Sequence, residues 1–265
     1  MTVGTTTDTA EILGRIEPVL MADPIRNNVF GTVRLHLRVA SDGGWCAHNG
    51  VALAVRCSPD HPIALTSGWT DLDALCAAVR GLPSVSGIGG PVDTVDALVE
   101  RLAREPSHRM AERLYRLDRL VEPSGVAGRG RLAGAADTEL VAGWLAPYTC
   151  ETYGELPPGF DAVRLAAAMV GVSRTWLWLA PDDRPVSMAA RRPPAAGVSR
   201  IGPVYTPPDQ RRRGYGTAVT ARAAFDILDS TAVPVLYTDV ANPTSNKIYR
   251  AIGFRPVADR ASVSY

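Results

Sequence analysis

The chain has 265 residues, of which 46% are apolar and 21% charged, and its formal net charge is +1. This length allows one large domain or two modest ones, and the composition is that of an ordinary globular protein. The balanced charge argues against a general attraction to nucleic acid or anionic membranes. No apolar run is long enough for a membrane span and no secretory signal is visible, so we expect a cytoplasmic protein with no membrane partner.

The first half begins with a predicted helix over about residues 8–22. After a stretch without a clear pattern, "WCAHNGVALAVRC" and "HPIALTSG" are typical of strands. The elements that follow are helix "DLDALCAAVRGL", strand "VSGIGG", helix "VDTVDALVERLARE" and strand "RMAERLYRLDRLVEP".

Proline, serine and glycine accumulate in "EPSGVAGRGRLAGAAD", residues 122–137. Such a composition between periodic segments indicates an interdomain connection. We therefore expect an N-terminal domain over 1–122, a linker over 123–136 and a C-terminal domain over 137–265.

The second half has a clearer pattern. The predicted elements are helices "DTELVAGWLAPYTCETYGE" and "DAVRLAAAMV", strands "SRTWLWLAP", "RPVSMAARR" and "VSRIGPVYT", a helix from Gly214 to about Ser230, strand "VPVLYTDV", helix "PTSNKIYRAI" and a closing pair of strands in "FRPVADRASVSY". This order predicts an α/β (α+β) fold with a mixed, mostly antiparallel sheet flanked by helices. The first half contains roughly the same series, so we expect an internal duplication.

The segment "PVYTPPDQRRRGYGT" joins a predicted strand to a predicted helix. It is not a Walker A loop, because Gly216 is followed by Thr217-Ala218 and not by Lys-Ser/Thr. It is not a dinucleotide fingerprint either, because Val219 occupies the position of the third glycine. What is left is Arg-x-x-Gly-x-Gly over residues 211–216.

This pattern suits a pyrophosphate. Gly214 and Gly216 allow the backbone to approach an anion closely, and the first amides of the helix point outward without intrahelical partners. The arginines would form charged walls. The alternatives are a surface basic loop and a nucleic-acid patch, and the short cluster and near-zero net charge argue against the latter.

The stretch "VYTPPDQRRRGYGTAV" resembles the acyl-coenzyme-A-binding motif of the GNAT superfamily of N-acetyltransferases. Downstream, "DVANPTSNKIYRAIGFRPV" resembles the second motif of that superfamily. The resemblance covers roughly residues 130–265, and the first half resembles at most a degenerate GNAT-like half. It implies two tandem GNAT-like halves and acetyl-CoA as cosubstrate.

The resemblance also implies roles for single residues. Backbone groups of Val204, Tyr205 and Thr206 would pair with the pantetheine arm in the manner of a strand. The residues implied around the pyrophosphate are Arg211, Arg212, Arg213, Gly214, Tyr215, Gly216 and Thr217. Asn242 would contact the cofactor and Asn246 would approach the same arm. Tyr249 would lie beside the thioester sulfur.

The implied reaction is acetyl transfer to a primary amine of a small molecule or a peptide. Tyr249 is the best candidate for the general acid, since a phenol can protonate a thiolate leaving group. The candidates for the general base are Glu151, Glu155 and Asp239, with a water relay as a further possibility. The four cysteines show no metal-ligand spacing, so no metal is expected.

A second hypothesis is a non-catalytic acyl-CoA-binding or regulatory module that uses the same loop. Turnover with a panel of amines would separate it from the enzyme. The sequence leaves the acceptor open, and both a monomer and a homodimer are compatible with it.

Overall fold

The computed structural model describes residues 3–39, 43–157 and 159–265. The chain forms two compact units. The first consists of Met1–Leu114, Asp239–Ala241 and Val257–Tyr265, and the second of Tyr115–Thr238 and Asn242–Pro256.

The first unit contains most of the N-terminal half. Its elements are β1 Gly4–Thr6, α1 Thr9–Ala22, α2 Asn28–Val39, β2 Trp45–His48, β3 Leu53–Arg56, β4 Ile63–Leu65, α3 Leu72–Arg80, β5 Gly87–Pro91, α4 Val92–Leu102 and the greater part of β6 His108–Leu117.

Helix α1 shows why these segments fold as they do. The carboxylate of Asp8 accepts from the backbone N–H of Glu11 at 2.7 Å, which caps the first turn. Ile12, Ile16 and Leu20 recur every fourth residue and are fully buried. One apolar stripe therefore faces the core of the unit and the opposite side faces solvent.

The sheet of the first unit has the strand order β1-β2-β3-β4-β5. Neighbours are antiparallel except β4 and β5, which are parallel and are joined through α3. The end of the last strand of the chain then pairs antiparallel with β5, from Arg260–Pro91 to Ser264–Gly87. The sheet is thus completed by residues from the C-terminus.

The second unit has the same kinds of element. They are β7 Arg129–Leu132, α5 Thr138–Tyr153, α6 Ala162–Gly171, β8 Arg174–Leu179, β9 Pro185–Arg191, β10 Val198–Tyr205, α7 Tyr215–Asp229, β11 Val233–Asp239, α8 Pro243–Ala251 and the start of β12 Phe254–Ser264, with short 3-10 helices at Ala135–Asp137 and Pro208–Gln210.

The strand order of this unit is β7-β8-β9-β10-β11. Only β10 and β11 run parallel, and α7 connects them. Side chains of α5 and α6 form one apolar cluster with β8, β9 and β10, whereas α7 and α8 belong to a second cluster. Because side chains alternate along a strand, each strand contributes to both clusters.

The two series match element by element. The run from β1 through β6 has the order β-α-α-β-β-β-α-β-α-β, and the run from β7 through β12 repeats it. The predicted α/β class with a mixed, mostly antiparallel sheet is therefore confirmed, and the duplication extends to β1, β7 and α2, which were not predicted.

Two predictions differ from the structure. The prediction of a closing pair of strands is wrong, because Phe254–Ser264 forms one long strand. The expected linker over 123–136 includes β7, which pairs with β8, and residues 257–265 belong to the first unit. No helix among the described residues is long and apolar enough to cross a membrane.

Candidate acyl-CoA and acceptor site

At the C-terminal end of β10, the backbone groups on the side toward β11 lie beyond the paired residues. The parallel pairing of β10 with β11 runs from Val198–Val233 to Ile201–Leu236, and Pro203, which has no N–H, lies just beyond. A bulge between Ile201 and Val204 precedes renewed pairing with β9 up to Tyr205–Met188. The β11-facing side of residues 203–205 is therefore where an extended ligand could pair with the strand.

The loop after β10 leads into the N-terminus of α7. Gly214 precedes that helix with φ of +83° and supplies no side-chain cap. A Cβ on Gly214 would also lie 2.8 Å from Cγ2 of Val126. The glycine is thus required by its own conformation and by Val126, whereas the sequence had suggested close approach to an anion.

Gly216 lies against Thr206. A Cβ at Gly216 would be 3.3 Å from Oγ1 of Thr206, and that hydroxyl is 2.8 Å from Oγ of Ser187. The Ser187 hydroxyl also donates to the carbonyl oxygen of Tyr205 at 3.0 Å. These contacts fix the end of β10 against the first turn of α7.

The three arginines of the loop have different surroundings. Nε of Arg211 donates to the carbonyl oxygen of Thr206 at 2.8 Å, and its Nη2 lies 2.8 and 2.7 Å from the two carboxylate oxygens of Glu151. Arg212 has φ of +63° and is exposed, as is Arg213. All three side chains are exposed, but Arg211 is fixed by Thr206 and Glu151, whereas Arg213 has a longer contact of 3.5 Å from Nη2 to the carbonyl oxygen of Asp209.

Tyr205 lies beneath this ion pair. Its ring is buried, 6.5 Å from the ring of Trp144 and 5.7 Å from the guanidinium carbon of Arg211. Burial raises the pKa of Tyr205, and the charge of Glu151 raises it further.

Asn242 is the N-cap of α8. Its Oδ1 accepts from the backbone N–H of Ser245 at 3.0 Å, which satisfies a first-turn donor. Pro243 follows as the first helical residue, where its fixed φ suits the helix. The exposed side chain of Asn242 thus has a structural task that its residue type explains fully.

Asn246 is buried in a hydrogen-bonded cluster. Its Nδ2 donates to the carbonyl oxygen of Asn242 at 2.7 Å, and its Oδ1 accepts from the hydroxyl of the fully buried Tyr115 at 2.8 Å. The side-chain amide therefore joins α8 to β6, so the implied contact of Asn246 with a cofactor stays a proposal.

Tyr249 is 8% exposed and packs edge-on against Phe254, with ring centroids 6.3 Å apart. Burial raises the pKa of Tyr249 well above that of an ordinary phenol, and the nearby Tyr148 adds to the rise. A hydrogen bond with Ser245 acts in the opposite direction. The hydroxyl is thus protonated throughout the physiological range.

The carboxylates proposed as bases lie in different places. Glu151 is bound to Arg211 near the end of α5, and Glu155 is exposed two residues after that helix. Asp239 belongs to the chain segment assigned to the first unit, where its Oδ1 accepts from the N–H of Ala241 at 2.8 Å. The structure therefore brings Glu151 to the loop after β10.

Sequence reasoning missed several residues around the site. Tyr115 and Tyr148 lie far along the chain from Asn246 and Tyr249, their neighbours in space. Arg192 and Arg200 were treated only as strand residues, and their backbones are joined by a hydrogen bond from the N–H of Arg192 to the carbonyl oxygen of Arg200 at 2.8 Å.

Among the described residues of the first unit, one group of side chains could hold a metal ion. His36, Cys57 and His61 place one ligand atom each within 4.8 Å of one another. Burial raises the pKa of the Cys57 thiol to about 11, and Nδ1 of His61 lies 2.7 Å from the Ser58 hydroxyl. The spacing along the sequence did not reveal this group.

Comparison with known proteins adds to the geometry. Residues 182–263 match the family model described as FR47-like protein. A search of curated protein sequences finds no match. The matched region contains β9 through most of β12, and thus the loop, the N-terminus of α7 and Tyr249.

Similar solved structures cover nearly the whole chain. A Drosophila protein aligns over 99% of this chain and 98% of its own, with a TM-score of 0.71 and 11% identity. A GCN5-related N-acetyltransferase from Sphaerobacter thermophilus aligns over 99% and 95%, with a TM-score of 0.62 and 13% identity. One from Kribbella flavida aligns over 88% and 94%, with a TM-score of 0.58 and 17% identity. Over nearly its whole length the chain therefore has the fold of these GCN5-related N-acetyltransferases, as the resemblance to the GNAT superfamily implied.

Proposed function

We propose that the protein is an N-acetyltransferase that transfers the acetyl group of acetyl-CoA to a primary amine of a small molecule or a peptide. One observation carries this proposal. The free edge of β10 at residues 203–205 continues directly into a basic loop and the N-terminus of α7, which has no side-chain cap.

The loop fits the pyrophosphate of coenzyme A. The N–H groups of residues 215–217 lie in the first turn of α7, where a helix offers no internal acceptors. The helix dipole favours an anion there by about 0.3–1 kcal/mol. Arg212 and Arg213 are exposed and form no ion pair within the described residues, so they are available to strengthen the hydrogen bonds.

The free edge of β10 suits the pantetheine arm, whose amides could pair with the backbone of Val204 and Tyr205. A backbone N–H in this stretch would also stabilise negative charge on the acyl oxygen. Acetyl-CoA would supply the activated acyl group. The chain would contribute alignment and hydrogen-bond donors.

Tyr249 is the proposed proton donor. An ordinary thiol has a pKa of about 8.5 and an ordinary phenol one of about 10, so full transfer from phenol to thiolate is uphill. The raised pKa of Tyr249 increases this difference. The environment therefore favours a hydroxyl that stays protonated until the thiolate develops and then gives it a strong hydrogen bond.

Asp239 and Glu151 stay our proposed bases for the amine, with Asp239 first. Glu151 would have to leave its ion pair with Arg211 before it could accept a proton. The Oδ1 of Asp239 accepts the N–H of Ala241 at 2.8 Å, and a water relay could connect either carboxylate with the amine.

Binding and turnover test the proposal separately. We expect acetyl-CoA and free CoA, but not ATP, to raise the melting temperature, because a ligand that binds only the native state stabilises it. Arg212→Gln combined with Arg213→Gln should weaken this effect about tenfold in affinity. The matched control is Arg184→Gln, which removes an exposed arginine that pairs with Asp182.

Mass spectrometry of acetylated amines measures turnover. The absence of stabilisation by acetyl-CoA and CoA would contradict the cofactor. Binding without turnover over a broad amine panel would favour a non-catalytic acyl-CoA-binding module, which the burial of Tyr249 against Phe254 would also suit.

A further inference from the structure

Arg192 has no counterion among the residues that the structure describes. It directly follows β9 and is only partly exposed, and its Nε is buried with no hydrogen-bond partner. No carboxylate of the described residues pairs with it. A partly buried charge without a partner is unfavourable, and proteins normally avoid one.

The preceding residue shows the contrast. Arg191 is buried and forms an ion pair with the buried carboxylate of Asp226 on α7. Successive strand residues point to opposite faces, so Arg192 points toward the face covered by α5 and α6. Met188 and Ala190 already belong to the apolar cluster on that face.

A second arginine lies beside the first. The N–H of Arg192 donates to the carbonyl oxygen of Arg200 on β10 at 2.8 Å. The guanidinium of Arg200 is 5.7 Å from the centre of the Tyr237 ring. Burial lowers the pKa of Arg192 to about 10, and the positive charge of Arg200 contributes to the fall.

Helix α5, which covers this face, carries two tyrosines near Arg192. Tyr148 and Tyr153 on α5 are close enough to Arg192 to favour its charged form. Tyr148 also raises the pKa of Tyr249. One tyrosine is thus within electrostatic range of both the unpaired guanidinium and the proposed proton donor.

We propose that Arg192, assisted by Arg200, binds a carboxylate of the acceptor, so that the acceptor is an amino acid or a related amino-carboxylic acid. A guanidinium matches a carboxylate with two parallel hydrogen bonds, which orients the ligand as well as holding it. This inference rests on the proposed function for the reaction itself. The phosphates of CoA have their own donors at residues 212–217, and Arg192 lies on the side of the sheet that faces Tyr148.

The first experiment compares amines that differ only in the carboxylate. Amino acids and their carboxamides are offered with saturating acetyl-CoA, and kcat/KM is measured from the release of free thiol. We expect the wild type to prefer the acids by roughly 10- to 100-fold, the usual effect of hydrogen bonds between charged groups. Arg192→Gln should bring that preference close to one, mainly through KM.

Two further variants sharpen the comparison. Arg192→Lys keeps the charge without the planar fork and should retain part of the preference. Arg184→Gln, the exposed control, should retain all of it. The amino groups of an amino acid and its carboxamide differ in basicity. This difference affects wild type and variant equally, so it cancels when the acid-to-amide preference of the variant is divided by that of the wild type.

The second experiment is independent of turnover. N-acetyl amino acids should raise the melting temperature of the wild type but not that of Arg192→Gln. N-acetyl amino-acid amides should not raise the melting temperature of either protein. Without any ligand, Arg192→Gln should be as stable as the wild type or more so, because no internal partner is lost. A clear loss of stability would assign Arg192 a structural role and overturn the proposal.

The two proposals fail in different ways. Turnover that is equal for acids and carboxamides overturns the carboxylate site and leaves the acetyltransferase intact. If acetyl-CoA does not bind but N-acetyl amino acids stabilise only proteins with Arg192, the proposed reaction fails and the carboxylate site stands.

Discussion

Arg211 and Glu151 are 60 residues apart in the chain and form an ion pair in which Nη2 lies within 2.8 Å of both carboxylate oxygens. The pair joins the end of α5 to the loop between β10 and α7. Each side chain is about two-fifths exposed, at 42% and 45%, so solvent screens the interaction.

We expect Glu151→Gln to lower the free energy of unfolding by less than ~1 kcal/mol and to change kcat by less than about threefold. The reason is that Glu151 is our second candidate for the base and would first have to leave its ion pair with Arg211. Steady-state kinetics with Glu155→Gln as the matched control measure the effect. A fall in kcat by ~100-fold or more would identify Glu151 as the base.

Tyr249→Phe removes the proposed proton donor but keeps the ring that packs on Phe254. We expect kcat to fall at least ~100-fold while the KM for acetyl-CoA changes less than about threefold. Because burial raises the pKa of Tyr249, the wild type should keep this donor as the pH rises, with no loss of kcat near pH ~9 from its ionisation.

The control for Tyr249 is Tyr265→Phe, which removes a buried hydroxyl that has no hydrogen-bond partner among the described residues. It should leave kcat unchanged. Equal turnover by Tyr249→Phe and the wild type would exclude the phenol from the reaction.

Tyr115→Phe should lower the free energy of unfolding by about 1–3 kcal/mol, because it leaves the buried Oδ1 of Asn246 without its 2.8 Å donor. Urea titration measures the difference, with Tyr265→Phe as a variant that should change stability by less than ~0.5 kcal/mol. If Tyr115→Phe instead keeps full stability but binds acetyl-CoA more weakly, the hydrogen bonds around Asn246 contribute to ligand binding and not to stability.

One of the four thiols should react rapidly in the native protein. Cys150 is exposed, whereas Cys46, Cys57 and Cys76 are buried. Burial raises the pKa of Cys46 to about 12 and that of Cys57 to about 11, so neither forms much of the reactive thiolate at pH ~8. A thiol reagent that forms a coloured product should titrate a single fast group.

Cys150→Ser should abolish the fast phase of that titration. Denaturant should then expose the three slow thiols together, since all of them lie in or beside packed elements of the first unit. Two fast groups in the native wild type would contradict the burial of at least one of these cysteines.

Local pattern was enough for most elements of the fold. Periodicity predicted α1, the strands β8 to β10 and the helix α7 within a few residues. Helix α2 was missed although Phe30, Val33 and Leu37 form a buried stripe, because no clear cap marks its start. Strand β7 was missed because "GRGRL" is typical of a loop, and only pairing with β8 makes it a strand.

The site was predictable where it is continuous in the chain and not where it is assembled from distant parts. The loop at 211–217 could be located from its glycines and its place between strand and helix. Tyr115, which binds Asn246, and Glu151, which binds Arg211, lie 131 and 60 residues away from them, so no local pattern indicates these two contacts. Only the three-dimensional structure can show that Arg192 has no carboxylate partner among the described residues.

The pairing of residues 260–264 with β5 has a consequence for synthesis of the chain. The first unit, although it leaves the ribosome first, receives its last strand only when the C-terminal residues have been made. Until then β5 is an open edge that could pair with another nascent chain. That edge has a low strand propensity because it contains Gly87, Gly89 and Gly90. The low propensity reduces the risk of pairing with another chain before residues 260–264 have been synthesised.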